Sequence, residues 1–289
     1  MVFRAAGLPA PNCSLTASTP RSKTPLESLY YKPNFSSYLR IARGRPDYPR
    51  CCEPPVSTLP SSLLPADDAA RLRALDRYQL LDARREAILD EVVAMTARLF
   101  RVSNAMLSIV EKNTVLLKAP YNLPVDLERI PREQSMCSAT ILQHDTAVYE
   151  DLTHGGAPGV DTSLILQLGL HFYAGHNLRT PEGHHIGALC LFDGPPREFS
   201  ATERALLSQL AGLVMHLLEL RRLLGPHAGI TGLFWEVIYQ GLSEQLARLS
   251  ALIDHSVPAS GFLPPAVAQE AGRIVAMLDG LVTATMRRK

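Results

Sequence analysis

The sequence is sparing in the features that mark secreted, membrane or nucleic-acid-binding chains. It holds five cysteines in 289 residues, Cys13, Cys51, Cys52, Cys137 and Cys190. An odd count that includes an adjacent, poorly bridged pair argues against a disulfide framework and for a reduced compartment. No C-x-x-C or Cys/His spacing is present, so no zinc or other metal site is expected. No stretch reaches ~18 apolar residues without charge, and no basic start leads into an apolar run, which removes the signals for a membrane span and for a signal peptide. Lys and Arg number 29 against 28 Asp and Glu, a formal charge of +1. Such a balance creates no field to gather nucleic acid or an anionic membrane. A cytoplasmic protein is the expectation. The P-loop, G-x-G-x-x-G and G-x-S-x-G motifs are also missing, and the carboxylates are scattered, so catalysis of those kinds has no anchor.

What is there divides the chain in three. Residues 1–65 carry eleven of the 22 prolines and no apolar period, and over residues 1–56 Lys and Arg outnumber Asp and Glu by eight to three. This reads as a disordered, solvated tail. Residues 66–225 alternate between periods. An Asp ahead of Ala-Ala-Arg-Leu-Arg-Ala-Leu starts a helix with Leu72, Leu75 and Leu80 on its apolar side, and residues 86–100 form a second amphipathic helix. Two short apolar runs, 104–110 and 115–119, flank a turn-type Glu-Lys-Asn-Thr and predict a hairpin. Residues 135–144 and 160–168 read as short helices, and 147–151 as a strand. Gly155-Gly-Ala-Pro-Gly159 lacks the Lys-Ser/Thr ending of a phosphate grip and reads as a flexible loop.

A second hairpin is centred on Thr180-Pro-Glu-Gly183, a type I turn by composition. The simplest register sets His176 opposite Gly187 and His185 opposite Leu178. From Phe199 a long helix runs to Leu224, opened by the capping pair Ser200 and Glu203. Leu206, Leu210, Leu213, Leu217, Leu220 and Leu224 alternate steps of four and three along it, a heptad seam. Leu207, Ala211, Val214 and Leu218 form another apolar stripe, so one stripe is assigned to the sheet and the leucine seam to a second subunit; packing on the chain's own C-terminus is the alternative. Residues 226–289 form a helical hairpin, 232–255 and 265–286, for dimerisation or interaction. The fold class is α+β, an antiparallel sheet with helices on one face.

Arg71-Leu-Arg-Ala-Leu-Asp-Arg-Tyr-Gln-Leu-Leu-Asp82, Pro131-Arg-Glu-Gln-Ser-Met-Cys-Ser-Ala-Thr-Ile-Leu-Gln143, Phe172-Tyr-Ala-Gly-His-Asn-Leu-Arg-Thr-Pro-Glu-Gly183 and Ile186-Gly-Ala-Leu-Cys-Leu-Phe-Asp193 resemble, in order, the signatures of bacterial GAF domains. The similarity runs over about residues 68–224 and is to the type found alone or upstream of histidine kinase or diguanylate cyclase modules. It implies a sheet of about six strands, a ligand pocket on the face away from the helices, and terminal helices that pair subunits. Candidate ligand contacts are then Cys137, Tyr149, Asp151, Phe172, Tyr173, His176 and Asn177, with His184 and His185 given to the turn.

Cys137, near a helix N-terminus, is where the dipole would favour a thiolate. GAF proteins that reduce free methionine sulfoxide place a cysteine similarly but need partner cysteines. Cys190, in a predicted buried strand, is the only other cysteine of the domain. Bilin-binding relatives follow their cysteine with histidine, whereas Ser138 and Ala139 follow here, and the Asn-Lys-Phe-Asp-Glu set of cyclic-nucleotide pockets does not assemble. The expectation is therefore a non-catalytic small-molecule sensor or signalling scaffold. It would act as a homodimer, with a histidine kinase or response regulator as a further partner, and the sequence names no ligand or cofactor. The alternatives are a redox enzyme related to free methionine sulfoxide reductase using Cys137, and a degenerate histidine kinase fragment kept as an interaction module.

Overall fold

In the strand run Asn104–Val110 every residue after the first is apolar or small, and all seven are buried. Such a strand is expected inside a sheet covered on both faces. The computed structural model describes residues 60–81, 86–124, 127–224, positions 240, 241, 243–245, 247–249 and 251, and 263–287. The predicted tail over 1–59 and most of the predicted helix 232–255 lie outside the described residues; the positions described between 240 and 251 are helical.

Six strands, β1 (Asn104–Val110), β2 (Thr114–Tyr121), β3 (Arg129–Pro131), β4 (Ala147–Tyr149), β5 (Phe172–Arg179) and β6 (His185–Asp193), form one antiparallel sheet in the order β3-β2-β1-β6-β5-β4. The helices are α1 (Asp68–Asp76), α2 (Ala87–Phe100), α3 (Met136–Thr140), α4 (Ser163–Gln167), α5 (Ala201–Leu224) and α6 (Pro265–Arg287). The fold class is α+β, as expected. β3 escapes sequence reading because three residues, Arg-Ile-Pro, carry no period. The short helices end earlier than their apolar runs: α3 stops at Thr140, whose hydroxyl turns back to the Met136 carbonyl.

Strand alternation splits the interior in two. Leu107, Ile109, Phe172, Ala174, Leu178, Leu189 and Leu191 face α2 and α5, while Met106, Val110, Tyr173, Cys190 and Phe192 face the other way, under α3, α4 and the chain between 151 and 170. Leu63, assigned by sequence to the tail, belongs to this second cluster and is fully buried. Arg132, itself without exposure, donates to the Leu63 carbonyl at 2.6 Å, and Arg71 donates to the Val110 carbonyl at 2.6 Å and to Asp68 at 2.8 Å. Both arginines come from the runs that carry the GAF resemblance, and both work as struts that tie the chain around α1 to the sheet.

α5 begins as read: the Ser200 N–H donates to Glu203 at 2.8 Å and the Glu203 N–H donates to the Ser200 hydroxyl. Arg197 adds an ion pair to the fully buried Glu203 at 2.5 Å. The leucine seam of α5 is covered within the chain, with exposures from 0% at Leu210 to 8% at Leu224. α6 packs against α5, with Gly272 beside Gln209 and Asp279 paired to His216. Both partners advance by seven residues, so the two helices run parallel, and α6 turns Val267, Ala271, Val275, Leu278 and Val282 inward.

Candidate functional site

On the sheet face away from α5, polar side chains converge inside an apolar cluster. β1 supplies Ser108, β5 Tyr173, β6 Cys190, and α3 Cys137, Ser138 and Thr140; none of the six has measurable exposure. The Cys137 and Cys190 sulfurs are 3.1 Å apart. The Tyr173 hydroxyl lies 3.2 Å from the Cys190 sulfur, 3.9 Å from that of Cys137, and 2.6 Å from the Thr140 hydroxyl. Ser108 donates to the Ala188 carbonyl at 3.2 Å. Among the described residues, the Ser138 hydroxyl has no hydrogen-bond partner. Gly175 makes room for this arrangement, since a Cβ there would sit 2.4 Å from the Tyr173 hydroxyl oxygen.

The electrostatics follow from contact and burial. The hydrogen bond from Cys190 draws the Cys137 thiol below its ordinary pKa, helped by Ser108, Ser135 and Tyr173 and opposed by burial. Cys190 is pushed well above its own, chiefly by burial. Burial likewise raises Tyr173, which stays a neutral phenol. The sequence argument assigned the Cys137 effect to a helix dipole. α3 has five residues, and the neighbouring thiol has the largest effect.

Residues 84–218 match the family model described as GAF domain. The chain carries a GAF domain. Over 205 residues it is 28% identical to a cyclic di-GMP phosphodiesterase of Pseudomonas aeruginosa, a match that takes in 70% of this chain and 34% of the relative. The chain thus spans about a third of that protein's length. Among solved structures, it is similar to the type II free methionine-R-sulfoxide reductase of Thermoplasma acidophilum, at 17% identity and a TM-score of 0.39, over 51% of this chain and 95% of that one. It is also similar to the blue-light-absorbing form of the PixJ GAF domain of Thermosynechococcus elongatus, at 18% identity and a TM-score of 0.38, over 53% and 90% of the two chains.

Within the GAF domain, the sequence-derived contacts separate by strand parity. Cys137, Tyr173 and Asn177 lie on the polar-nest side; Tyr149 flanks it, its ring centroid 6.2 Å from that of Tyr173. The Asn177 amide is committed to the Gln143 carbonyl at 2.6 Å. Asp151 caps the turn that follows it, accepting from the Thr153 N–H at 2.9 Å, and those hydrogen bonds hold its carboxyl below the usual range. Phe172 and His176 point the other way, Phe172 against Phe199 and His176 between Thr146 and Ser208.

The expected hairpin register is shifted by two at His176 and by one at His185. His176 pairs with Leu189 and His185 with Arg179, because Gly183 at φ 95° extends the turn to a Thr180–His184 closing pair and a bulge follows at Leu178/Arg179. His184 and His185 do flank the turn, but His185 is buried and its ring faces the Ile141 carbonyl at 2.8 Å. Among the described residues, no group of three or more His, Cys, Asp or Glu side chains is placed to hold a metal ion. No described helix is long and apolar enough to cross a membrane.

Sequence reasoning missed Ser108, Ser138, Thr140 and the Cys190 contact. Cys190, expected only as a buried strand residue, brings its sulfur to 3.1 Å from that of Cys137. A signal was available in Cys190 and Tyr173: once β5 and β6 are aligned, parity places both on one face.

Burial lowers the pKa of His176 and of His185 below the ordinary 6.5. A base whose pKa falls on folding takes up its proton more readily in the unfolded chain, so stability drops as pH falls below about 6.5, by at most about 1.4 kcal/mol per pH unit for each proton. Urea unfolding between pH 7.5 and 5 is expected to show this slope, reduced in His176→Gln and again in the double variant with His185→Gln. An unchanged slope in both would remove the histidines as its source.

Proposed function

We propose that this GAF domain is a non-catalytic sensor whose polar-nest face takes a small molecule and whose helices α5 and α6 carry occupancy to a second copy or a signalling partner. The observation that carries the reading is the buried nest in which the Tyr173 hydroxyl meets Thr140 and the two thiols under α3, a helix that also holds the Ser138 hydroxyl buried without a partner among the described residues. Leaving a buried hydroxyl unsatisfied costs about 1–3 kcal/mol. A ligand group that bonds to it removes that cost, and a few convergent polar groups in apolar walls are the usual make-up of a small-molecule site. The cover is the chain from 151 to 170, whose Leu152 and Ile165 belong to the cluster it closes.

Strand β5 supplies the route outward. Tyr173 faces the nest, while His176 on the opposite face bridges to α5 through Ser208, at 3.2 Å, and to Thr146, at 2.9 Å. Thr146 in turn donates to the Arg204 carbonyl of α5. A ligand shifts the helices only by binding one arrangement more tightly than the other. A histidine kinase or response regulator fits as a downstream partner of such a domain, and the relative named as a cyclic di-GMP phosphodiesterase supports a signalling setting.

For the homodimer, the α5 leucines are already covered by the chain's own residues. A second copy reaches them by supplying its α6 in exchange, in the same parallel register, which conserves every buried contact and makes exchange a low-cost route to a dimer.

Native mass spectrometry of the purified protein is expected to show an added mass of a small molecule, or a ligand library to raise its melting temperature. Ser138→Ala should weaken that binding roughly tenfold, the size of one lost hydrogen bond. No added mass and no thermal shift would defeat the sensing reading. For the dimer, Gln209→Cys and Gly272→Cys are made in separate chains and mixed before oxidation. Exchange is expected to yield a disulfide-linked dimer, whereas a monomer in equilibrium sedimentation at micromolar concentration with no cross-link would remove it.

A further inference from the structure

We propose that Cys137 and Cys190 form a reversible dithiol–disulfide couple, a modification site oxidised by a small hydroperoxide. The two sulfurs are 3.1 Å apart, 53 residues distant in sequence, and held from opposite sides: Cys137 from α3, whose N-cap Ser135 accepts the Cys137 N–H, and Cys190 from the middle of β6. An S–S bond of ~2.05 Å needs an approach of about 1 Å, within reach of side-chain rotation and a small movement of α3. The inference stands whether or not the face binds a ligand.

Cys137 takes the first step. Its thiol is drawn below its ordinary pKa by Cys190, while Cys190 is raised by burial, so the thiolate forms on α3. The Cys137 sulfur attacks the terminal peroxide oxygen; an S–O bond forms, the O–O bond breaks, and the departing alkoxide takes the proton Cys137 gave up. The products are a sulfenic acid and an alcohol, or water when the oxidant is hydrogen peroxide. The Cys190 sulfur then attacks the Cys137 sulfur. The S–S bond forms, the S–O bond breaks, and hydroxide leaves with the Cys190 proton as water. Two thiols and one hydroperoxide thus give one disulfide, one alcohol and one water; the cysteines lose the two electrons that reduce the O–O bond. A dithiol reductant reverses the change.

The disulfide would be read out where the sulfurs now touch other groups. The Tyr173 hydroxyl, 3.2 Å from the Cys190 sulfur and 2.6 Å from the Thr140 hydroxyl, would lose thiol partners and reorganise against α3. Oxidation therefore alters the same polar nest that is proposed to take a ligand.

The test uses the full chain with Cys13, Cys51 and Cys52 replaced by Ser, folded and treated with hydrogen peroxide, then alkylated under denaturing conditions and weighed intact. The expected product has lost both thiols together with about 2 Da, and dithiothreitol restores both. Cys190→Ser is expected to stop at oxygen addition on Cys137, and Cys137→Ser to leave Cys190 unreacted at the same dose, with near-ultraviolet circular dichroism checking that each variant is folded. Full alkylation of both cysteines after peroxide excess, or a disulfide that appears only when the chain is unfolded in urea, would overturn the couple. Equal oxidation of the two single variants would overturn the assignment of the first step to Cys137.

Discussion

All seven residues of β1 and eight of the nine in β6 are withdrawn from water, so the centre of this sheet needs a cover on each face. The rest of the structure follows from how the two covers differ. One is made of long helices: α2 and α5 bring leucines, valines and Phe100 onto Leu107, Ile109 and Phe172, a mainly apolar contact in which His176, bonded to Ser208, is a polar exception. The other is assembled from a five-residue helix, α3, another, α4, and a glycine-containing connection, and its Cys137 and Thr140 meet Cys190 and Tyr173 of the strands.

That asymmetry has an energetic meaning. Every polar group buried on the side of the second cover must find a partner there or cost stability, and the ones present are only partly satisfied: Tyr173 and Thr140 bond to each other, Ser108 to a carbonyl, and Ser138 to no described residue. Leucine or alanine at these positions would pack with less penalty. The sensing and redox proposals both fall on this face. The first cover, in contrast, ends in ion pairs that brace it: Arg197 with the buried Glu203, and Arg222 with Glu219.

Several parts of this were legible in the residues. The strand limits 104–110, the start of α5 at Ser200 and Glu203, and the Thr180–Gly183 turn came directly from periodicity and side-chain chemistry. The register across that turn did not, because Gly183 and the bulge beside Arg179 add residues that composition leaves unannounced. With the register displaced by two at His176 and by one at His185, their opposing partners differ from those expected, although parity along β5 already separates His176 from Tyr173. Cys190 was legible as a buried strand residue, but its neighbour on α3 is a tertiary fact with no local signal. The leucine seam was plain, while its occupant was not: an apolar stripe says that something covers it, and only the packing of α6 says what does so within one chain.

Ligand and peroxide reach the buried nest only if the polar cover opens while the helical cover stays closed. Native-state hydrogen exchange resolved by residue tests this directly. Amides of α3 and of residues 151–170 are expected to exchange through local openings, at free energies well below those of β1, β6 and α5, which should exchange only with global unfolding. Protection of α3 and 151–170 equal to that of β1 and β6 would contradict it, since the nest would then be a sealed part of the core that admits neither ligand nor peroxide.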